Sequence, residues 1–332
     1  MANSRKRLGE SELIRQYFAP LCHPDMSFGL SDDAAFLRCD TDQQLVLTKD
    51  MLVADVHFFA DDDPALIARK ALRVNLSDLA SKGAEPLGYL LGLGLPASWD
   101  EDWLKNFCEG LRLDQECFAF PLIGGDTVKS PERLTLSITA FGQVPRSKTI
   151  LRMNAAVGEA VYVTGTIGDS ALGLLVRREP DQYPSVAAAD RAFLKDRFLL
   201  PQPRLSCREL IRKFATASMD ISDGLIGDAQ KMSGAARKAL LLDSDSVPLS
   251  PSARAMIGSS TDLHEIALTG GDDYELLFCA RPEDHEPLMA EAHSLGIPLS
   301  RIGRVAEGAG VRLLDSAGQD IALSHGSSYE HF

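Results

Sequence analysis

The chain has 332 residues, enough for two domains that each bury a core. Hydrophobic residues make up 45% and charged residues 24%, the balance of a globular protein in water. A formal net charge of −13 argues against unaided binding to DNA, RNA or an anionic membrane; it leaves nucleotide binding open, because bound metal ions invert local charge.

The six cysteines, Cys22, Cys39, Cys108, Cys117, Cys207 and Cys279, form no Cys-x-x-Cys pair and stand in apolar surroundings, so they read as reduced, mostly buried thiols. Met1 to Gly9 is polar and basic with no apolar stretch behind it, so no secretory signal is expected. No apolar run approaches the roughly 20 residues of a membrane helix. The expectation is a cytoplasmic protein with neither nucleic acid nor membrane as partner.

In chain order, residues 10–18 read as a short helix with Leu13, Ile14 and Phe18 on one face. Leu45-Val46-Leu47 reads as a buried strand running into Asp50. Asp63-Pro64 is a helix start, a cap followed by proline in the first turn, and the helix carries Ile67, Ala71, Val74 and Leu79 up to Gly83. Asn75 and Asp78, three apart, share a face of it. Residues 87–95 predict an apolar strand, and Ser98 a cap for a helix with Trp103, Phe107 and Leu111. Pro121-Leu122-Ile123 predicts a short strand ending at Gly124-Gly125-Asp126, and Leu134, Leu136, Ile138 and Ala140 alternate as in a half-exposed strand. The polar, basic stretch Pro145 to Gly158 marks a boundary, giving domains 1–148 and 149–332. The second half repeats the rhythm: strand 160–164, a helix near Asp169, helical residues 189–215 broken by Pro201 and Pro203, strand 217–221, a further helix, and strand 274–280. Amphipathic strands among alternating helices favour α/β or α+β layers with mixed sheets over an all-parallel sheet.

Six acidic motifs recur at what read as element ends: Ser31-Asp32-Asp33, Leu47-Thr48-Lys49-Asp50, Asn75-Leu76-Ser77-Asp78, Gly124-Gly125-Asp126-Thr127, Met219-Asp220-Ile221-Ser222-Asp223-Gly224-Leu225 and Gly270-Gly271-Asp272-Asp273-Tyr274-Glu275. Each alone is also explained as a turn or a helix cap. Asp78 lies in an otherwise apolar helix and needs a partner, and Gly125-Asp126 combines close backbone approach with a ligand. Carboxylates converging in one cleft repel one another and need cations; hard oxygen donors favour Mg²⁺ over zinc. Bound Mg²⁺ makes a phosphate site, so metal-assisted phosphoryl transfer is the leading reading. Taken singly, His57, Arg152 and Tyr329 read as a structural histidine, a surface charge and a tail residue. There is no P-loop, no Gly-x-Gly-x-x-Gly before a helix, no His-Arg-Asp loop, no His-Glu-x-x-His and no Gly-x-Ser-x-Gly elbow, which removes the common kinase, zincin and hydrolase architectures.

In this order and spacing the motifs resemble the thiamine-monophosphate kinase family, of the aminoimidazole-ribonucleotide synthetase superfamily. Val56-His57-Phe58, Lys70 through Asp78, Gly124 through Thr127, Met219 through Leu225 and Gly270 through Phe278 carry the likeness, over nearly the whole chain. The resemblance implies ATP-dependent phosphorylation of thiamine monophosphate to thiamine diphosphate, with several Mg²⁺ ions, direct in-line transfer and no phosphoenzyme; an acceptor phosphate already ionised at pH 7 needs no general base. It implies metal positions at Asp33, Thr48, Lys49, Asp50, Asp78, Asp126, Asp220 and Asp223. It implies ATP contacts at Gly125, Asp126, Arg152 and Ser222, and substrate contacts at His57, Asp272 and Tyr329. It also implies a homodimer formed through the N-terminal sheet, with a C-terminal α/β domain completing the active site. The chain departs from the family pattern at Ser31 and Asp55, where glycine is common, at Lys49, where threonine or serine is usual, and at Asp272, where glutamate is usual. Other ATP-using synthetases of the superfamily are the alternative; the terminal His331-Phe332 lacks the cysteine of the carbamoyl dehydratase, and Cys22 lies in no Gly-rich loop like that of the selenium enzyme.

Overall fold

The computed structural model describes residues 9–27, 30, 34–35 and 37–323. The chain divides into two compact units, Met1–Leu79 with Glu85–Arg146, and Ala80–Ala84 with Ser147–Phe332. The short segment Ala80–Ala84 belongs with the second unit for a local reason: Arg212 Nε donates to the Gly83 carbonyl at 2.5 Å, and Lys82 Nζ to the Ser218 carbonyl at 2.6 Å.

The first unit is built on a four-stranded mixed sheet of β1 (Gln43–Val53), β2 (Glu85–Leu95), β3 (Leu122–Lys129) and β4 (Thr135–Pro145), in the order β1-β4-β2-β3. Only β2 and β3 run parallel, joined through the helix Glu101–Phe118, as a parallel pair requires a crossover. Along β4 every second residue is buried: Leu136, Ile138 and Ala140 face the core with Tyr89, Leu91 and Leu93. Leu72, Leu76 and Leu79 of the helix Pro64–Ser81 and Leu104, Phe107 and Leu111 of the helix Glu101–Phe118 are buried as well. At Gly110 a Cβ would collide with the backbone of Ala65, so that glycine sets how closely the two helices approach. The sheet's other face stays largely open: Leu47, Met51 and Val128 are 59%, 53% and 55% exposed.

Local signals explain most boundaries. Asp63 accepts from the Ala65 amide at 2.8 Å, opening the helix at Pro64. The cap of the next helix is Asp100, which accepts from the Trp103 amide at 2.7 Å, rather than the expected Ser98; only Asp100 stands immediately before the first helical turn. The expected helix at 10–18 is a single α-turn, Glu10–Leu13, continued as a wider π-turn, Ile14–Phe18. Two strands run further than expected. Asp50 lies within β1, which continues through Met51-Leu52-Val53 against Ser137-Leu136-Thr135. Gly124-Gly125-Asp126 lies within β3, paired to Leu90-Leu91-Gly92. A half-exposed sheet admits polar residues on its open face, so Asp126 does not end β3; Asp50 stands on the covered face, opposite Ile138.

The second unit holds a six-stranded mixed sheet in the order β10-β7-β9-β5-β8-β6, from β5 (Ala160–Thr164), β6 (Ala215–Asp220), β7 (Ala239–Asp243), β8 (Leu276–Ala280), β9 (Leu299–Ala306) and β10 (Val311–Leu314). Both faces of its centre are covered. Val161, Val163, Leu277 and Cys279 pack with Leu225, Ile226, Ala229 and Met232 of the helix Leu225–Ala236. Tyr162 and Phe278 stack on the opposite face at 5.4 Å, and Tyr162 Oη meets His285 Nδ1 at 2.9 Å. The predicted helical stretch 189–215 resolves into helices Ala188–Leu199 and Arg208–Phe214 around the proline-containing break. Among the described residues no helix is long and apolar enough to cross a membrane.

Candidate functional site

In the first unit, pairing sorts the expected residues by face. Side chains alternate along a strand, and directly paired residues share a face. Thr48 and Asp50 point to the helix-covered side, where Thr48 Oγ1 donates to Asp78 Oδ2 of the helix Pro64–Ser81. Asp50 pairs with the fully buried Ile138 on that same face. Lys49 and Asp126 belong to the open side. Lys49 is opposite Thr139, and its ammonium donates to Ser137 Oγ; Asp126 is opposite Gly92, itself opposite Ser137.

Over this open side lies a cavity of about 750 Å³ bordered by Lys49, Gly92, Gly124, Asp126, Ser137 and Thr139. Its floor is bare backbone at Gly92, Gly124 and Gly125. A Cβ at Gly125 would strike the Leu91 carbonyl oxygen, and one at Gly124 would come within 2.9 Å of Leu90 Cδ2. Strand packing alone therefore fixes Gly124 and Gly125 as glycines.

His57 follows β1 in a tight turn in which the His57 amide donates to the Val53 carbonyl at 3.0 Å. The Val53 amide donates back to His57 Nδ1 at 3.1 Å, so a neutral His57 carries its proton on Nε2. Lys70 Nζ donates to the His57 carbonyl at 3.0 Å and holds the turn to the helix. Asp55, where the family commonly has glycine, sits at φ 64°, the left-handed region that explains a preference for glycine there.

In the second unit the two remaining motifs lie side by side. The Ile221 amide donates to the Glu275 carbonyl, Tyr274 to the Ile221 carbonyl and Asp272 to the Ser222 carbonyl, all at 2.8 Å. Gly271 lies so close to the Ser222 carbonyl that no Cβ fits. Asp220 ends β6 and is 7% exposed. The loop after it is organised by a residue the sequence analysis passed over. Buried Asp228 takes both the Ser222 and Asp223 amides on Oδ2 at 2.9 Å, and Lys231 bridges Asp228 Oδ1 at 2.8 Å to Asp223. Burial pushes the Asp228 carboxyl up despite Lys231 beside it. Burial works against the Lys231 ammonium too, but its bonds to Asp223 and Asp228 outweigh that and hold it above its ordinary value. The Asp-x-x-Lys spacing on one helix face was the signal that could have found this pair. Arg152 lies in the exposed turn Arg152–Asn154, packed beside the helix Leu225–Ala236 and β6.

The acidic run after Gly271 divides by role. Asp272 adopts φ 74° and accepts from Tyr274 Oη at 3.2 Å. Asp273 is buried and takes the Gly168 amide at 2.7 Å and the Ser170 amide at 3.3 Å, capping the helix Asp169–Arg178. Glu275 is fully buried and accepts from Thr164 Oγ1 at 2.7 Å, Arg197 at 3.1 Å and Arg204 Nε at 2.5 Å. Asp114 in the first unit is its counterpart, held by Arg69 at 2.9 Å and Arg73 at 2.6 Å. These arginine-bound carboxylates are structural; the metal candidates are a different set. Asp33 and Tyr329 lie outside the described residues.

The donor set fits Mg²⁺: carboxylate and hydroxyl oxygens, with Thr48 and Asp78 already in contact. Lys49 is the exception, because an ammonium has no lone pair for a metal. Among the described residues no three His, Cys, Asp or Glu side chains stand close enough to hold an ion together; Mg²⁺ is ordinarily bound by one or two carboxylates, waters and substrate phosphates.

Residues 31–144 match the model of AIR synthase related protein, N-terminal domain, and residues 156–316 that of AIR synthase related protein, C-terminal domain. The chain is 40% identical over 306 residues to the thiamine-monophosphate kinase of Caulobacter vibrioides, covering 91% of this chain and 85% of that one. The chain belongs to the thiamine-monophosphate kinase family. Within the family, the crystal structure from Stenotrophomonas maltophilia superposes with a TM-score of 0.82 at 39% identity, over 91% of this chain and 94% of that one. A structure of AaThiL complexed with AMPPCP and TMP superposes with a TM-score of 0.78 at 30% identity, over 92% and 97%.

Proposed function

We propose that the protein transfers the terminal phosphoryl group of ATP to thiamine monophosphate, giving thiamine diphosphate and ADP, the last step of thiamine diphosphate synthesis. The observation that carries this is the family membership, with 40% identity over 91% of the chain. The similarity to a structure complexed with AMPPCP and TMP supports the same pair of substrates.

The acceptor is a phosphate whose second pKa is about 6, so its attacking oxygen is already ionised at pH 7. No general base is needed; what remains is alignment and charge neutralisation of two polyanions. Asp33, Thr48, Asp50, Asp78 and Asp126 of the first unit and Asp220 and Asp223 of the second would hold Mg²⁺. Bound Mg²⁺ supplies charge neutralisation on the phosphate oxygens. The Thr48 hydroxyl, bonded to Asp78, keeps that carboxylate in one rotamer. Asp228 and Lys231 fix the backbone of Ser222 and Asp223 before any ligand arrives. Gly125, Asp126, Arg152 and Ser222 serve ATP. His57, Asp272 and Tyr329 serve thiamine monophosphate, His57 through the Nε2 proton that its bond from Val53 assigns. The protein works in the cytoplasm as a homodimer, with the open sheet face carrying Leu47, Met51 and Val128 as the contact.

Incubation with ATP and Mg²⁺ should yield thiamine diphosphate only when thiamine monophosphate is present, and none in EDTA. Asp78→Asn should lower turnover by about a hundredfold or more with an unchanged circular dichroism spectrum. Tight Mg-ATP binding without any thiamine diphosphate would sink the acceptor assignment and keep the nucleotide site.

A further inference from the structure

Lys49 occupies a position where the family resemblance puts a threonine or serine beside a metal. Its ammonium is a donor only and cannot be a ligand, so the position has changed its chemistry. The register shows what it can reach. Lys49 stands in the row Lys49–Thr139–Leu90–Gly124, but its ammonium leans one row along, onto Ser137 Oγ. That neighbouring row runs Ser137–Gly92–Asp126. Gly92 has no side chain, so the floor between the ammonium and the Asp126 strand is backbone, two strand spacings or about 10 Å across.

The cavity above this floor, about 750 Å³, is within the size range of small-molecule sites. Among the described residues that line it, Lys49 is the sole Lys or Arg, in a chain of net charge −13. A phosphate lying on the glycine floor meets a fixed positive charge at Lys49 and, on the far side, a carboxylate that calls for a cation.

We propose that Lys49 is a built-in cation that binds a phosphate of the nucleotide and takes over the charge of one metal ion at this position. The inference rests on the nucleotide reading above. It makes part of the affinity for ATP independent of divalent metal.

The test is calorimetric titration of ATP, without thiamine monophosphate, into wild type, Lys49→Thr and Lys49→Arg, in EDTA and in Mg²⁺. Position 49 is exposed and threonine suits a strand, so all three should fold alike by circular dichroism. In EDTA, Lys49→Thr should lose at least about tenfold in ATP affinity, the loss of a charge-assisted hydrogen bond, while Lys49→Arg stays within about threefold. Mn²⁺ titration of the ATP complex by electron paramagnetic resonance should count one more bound ion in Lys49→Thr than in wild type. Equal ATP affinity of wild type and Lys49→Thr in EDTA, or equal Mn²⁺ counts, overturns the proposal. So does a Lys49→Thr protein that loses affinity for thiamine monophosphate alone while ATP binding is unchanged. Wild type that binds no ATP even with Mg²⁺ would instead bring down the nucleotide reading on which the proposal rests.

Discussion

In the first unit the candidate residues Thr48, Lys49, Asp50 and Asp126 sit inside strands, on the faces of a sheet; in the second, Ser222, Asp223 and Asp272 sit beyond strand ends, in loops. The cause is the covering of each sheet. The four-stranded sheet has one open side, so Lys49 in β1 and Asp126 in β3 reach solvent without leaving the strand, while Thr48 and Asp50 face the covering helix, where Thr48 meets Asp78. In the six-stranded sheet every residue of β5 and β8 is buried, and polar groups are displaced to the ends, where α/β sheets commonly place their sites. The candidate residues of the first unit therefore lie mostly within strands, and those of the second, apart from Asp220 at the end of β6, lie beyond them.

The largest way to break this contrast is to attack the second unit's buried charge. Glu275→Ala leaves Arg197 and Arg204 facing an apolar gap, and should cost about 3–5 kcal/mol in urea unfolding. A wild-type midpoint would mean that the triad does not hold the loop. In the first unit, Gly125→Ala drives a methyl into the Leu91 carbonyl and should cost about 1–3 kcal/mol, because β3 must shift away from β2. A stabilised variant would show that β3 is loosely paired.

A third test uses pH. Burial holds the Asp273 carboxyl well above its ordinary value, against the pull of the Gly168 amide. A raised folded pKa gives stability that is present below the unfolded pKa of about 3.9 and lost as pH rises through the folded one. Asp273→Asn cannot ionise, so its melting temperature should gain on wild type steadily from pH 4 towards pH 8. Parallel curves would show that Asp273 titrates normally. The smallest effect on stability is expected on the open face. Leu47→Lys should change the unfolding of the monomer by no more than about 0.5 kcal/mol and convert the proposed dimer to monomer in sedimentation. An unchanged dimer would place the contact elsewhere.

Much of this arrangement was legible in the sequence. The acidic motifs, the Asp63-Pro64 helix start and the alternation over Leu134–Ala140 follow from local chemistry. The faces were not legible. Whether Asp126 shares a side with Asp50 depends on the register of β2 with β3, set across the crossover helix, and no local pattern reports it. Nor could carboxylates be sorted by role: Glu275 stands in one motif with Asp272 and Asp273 until its arginines, dozens of positions away, are seen to close on it. Lys231 was missed because a lysine in a helix reads as a solvated charge until its bond to the buried Asp228 is known.

The cap at Asp273 has a wider consequence. Thr164-Gly165-Thr166-Ile167-Gly168 leads from a strand to a helix, the kind of turn that captures free phosphate through its amides. Here the amides of Gly168 and Ser170 already hold a carboxylate of the same chain, tethered and permanently present. Because burial holds the Asp273 carboxyl well above its ordinary value, the amides are filled by a group of the same chain whether or not that group is charged.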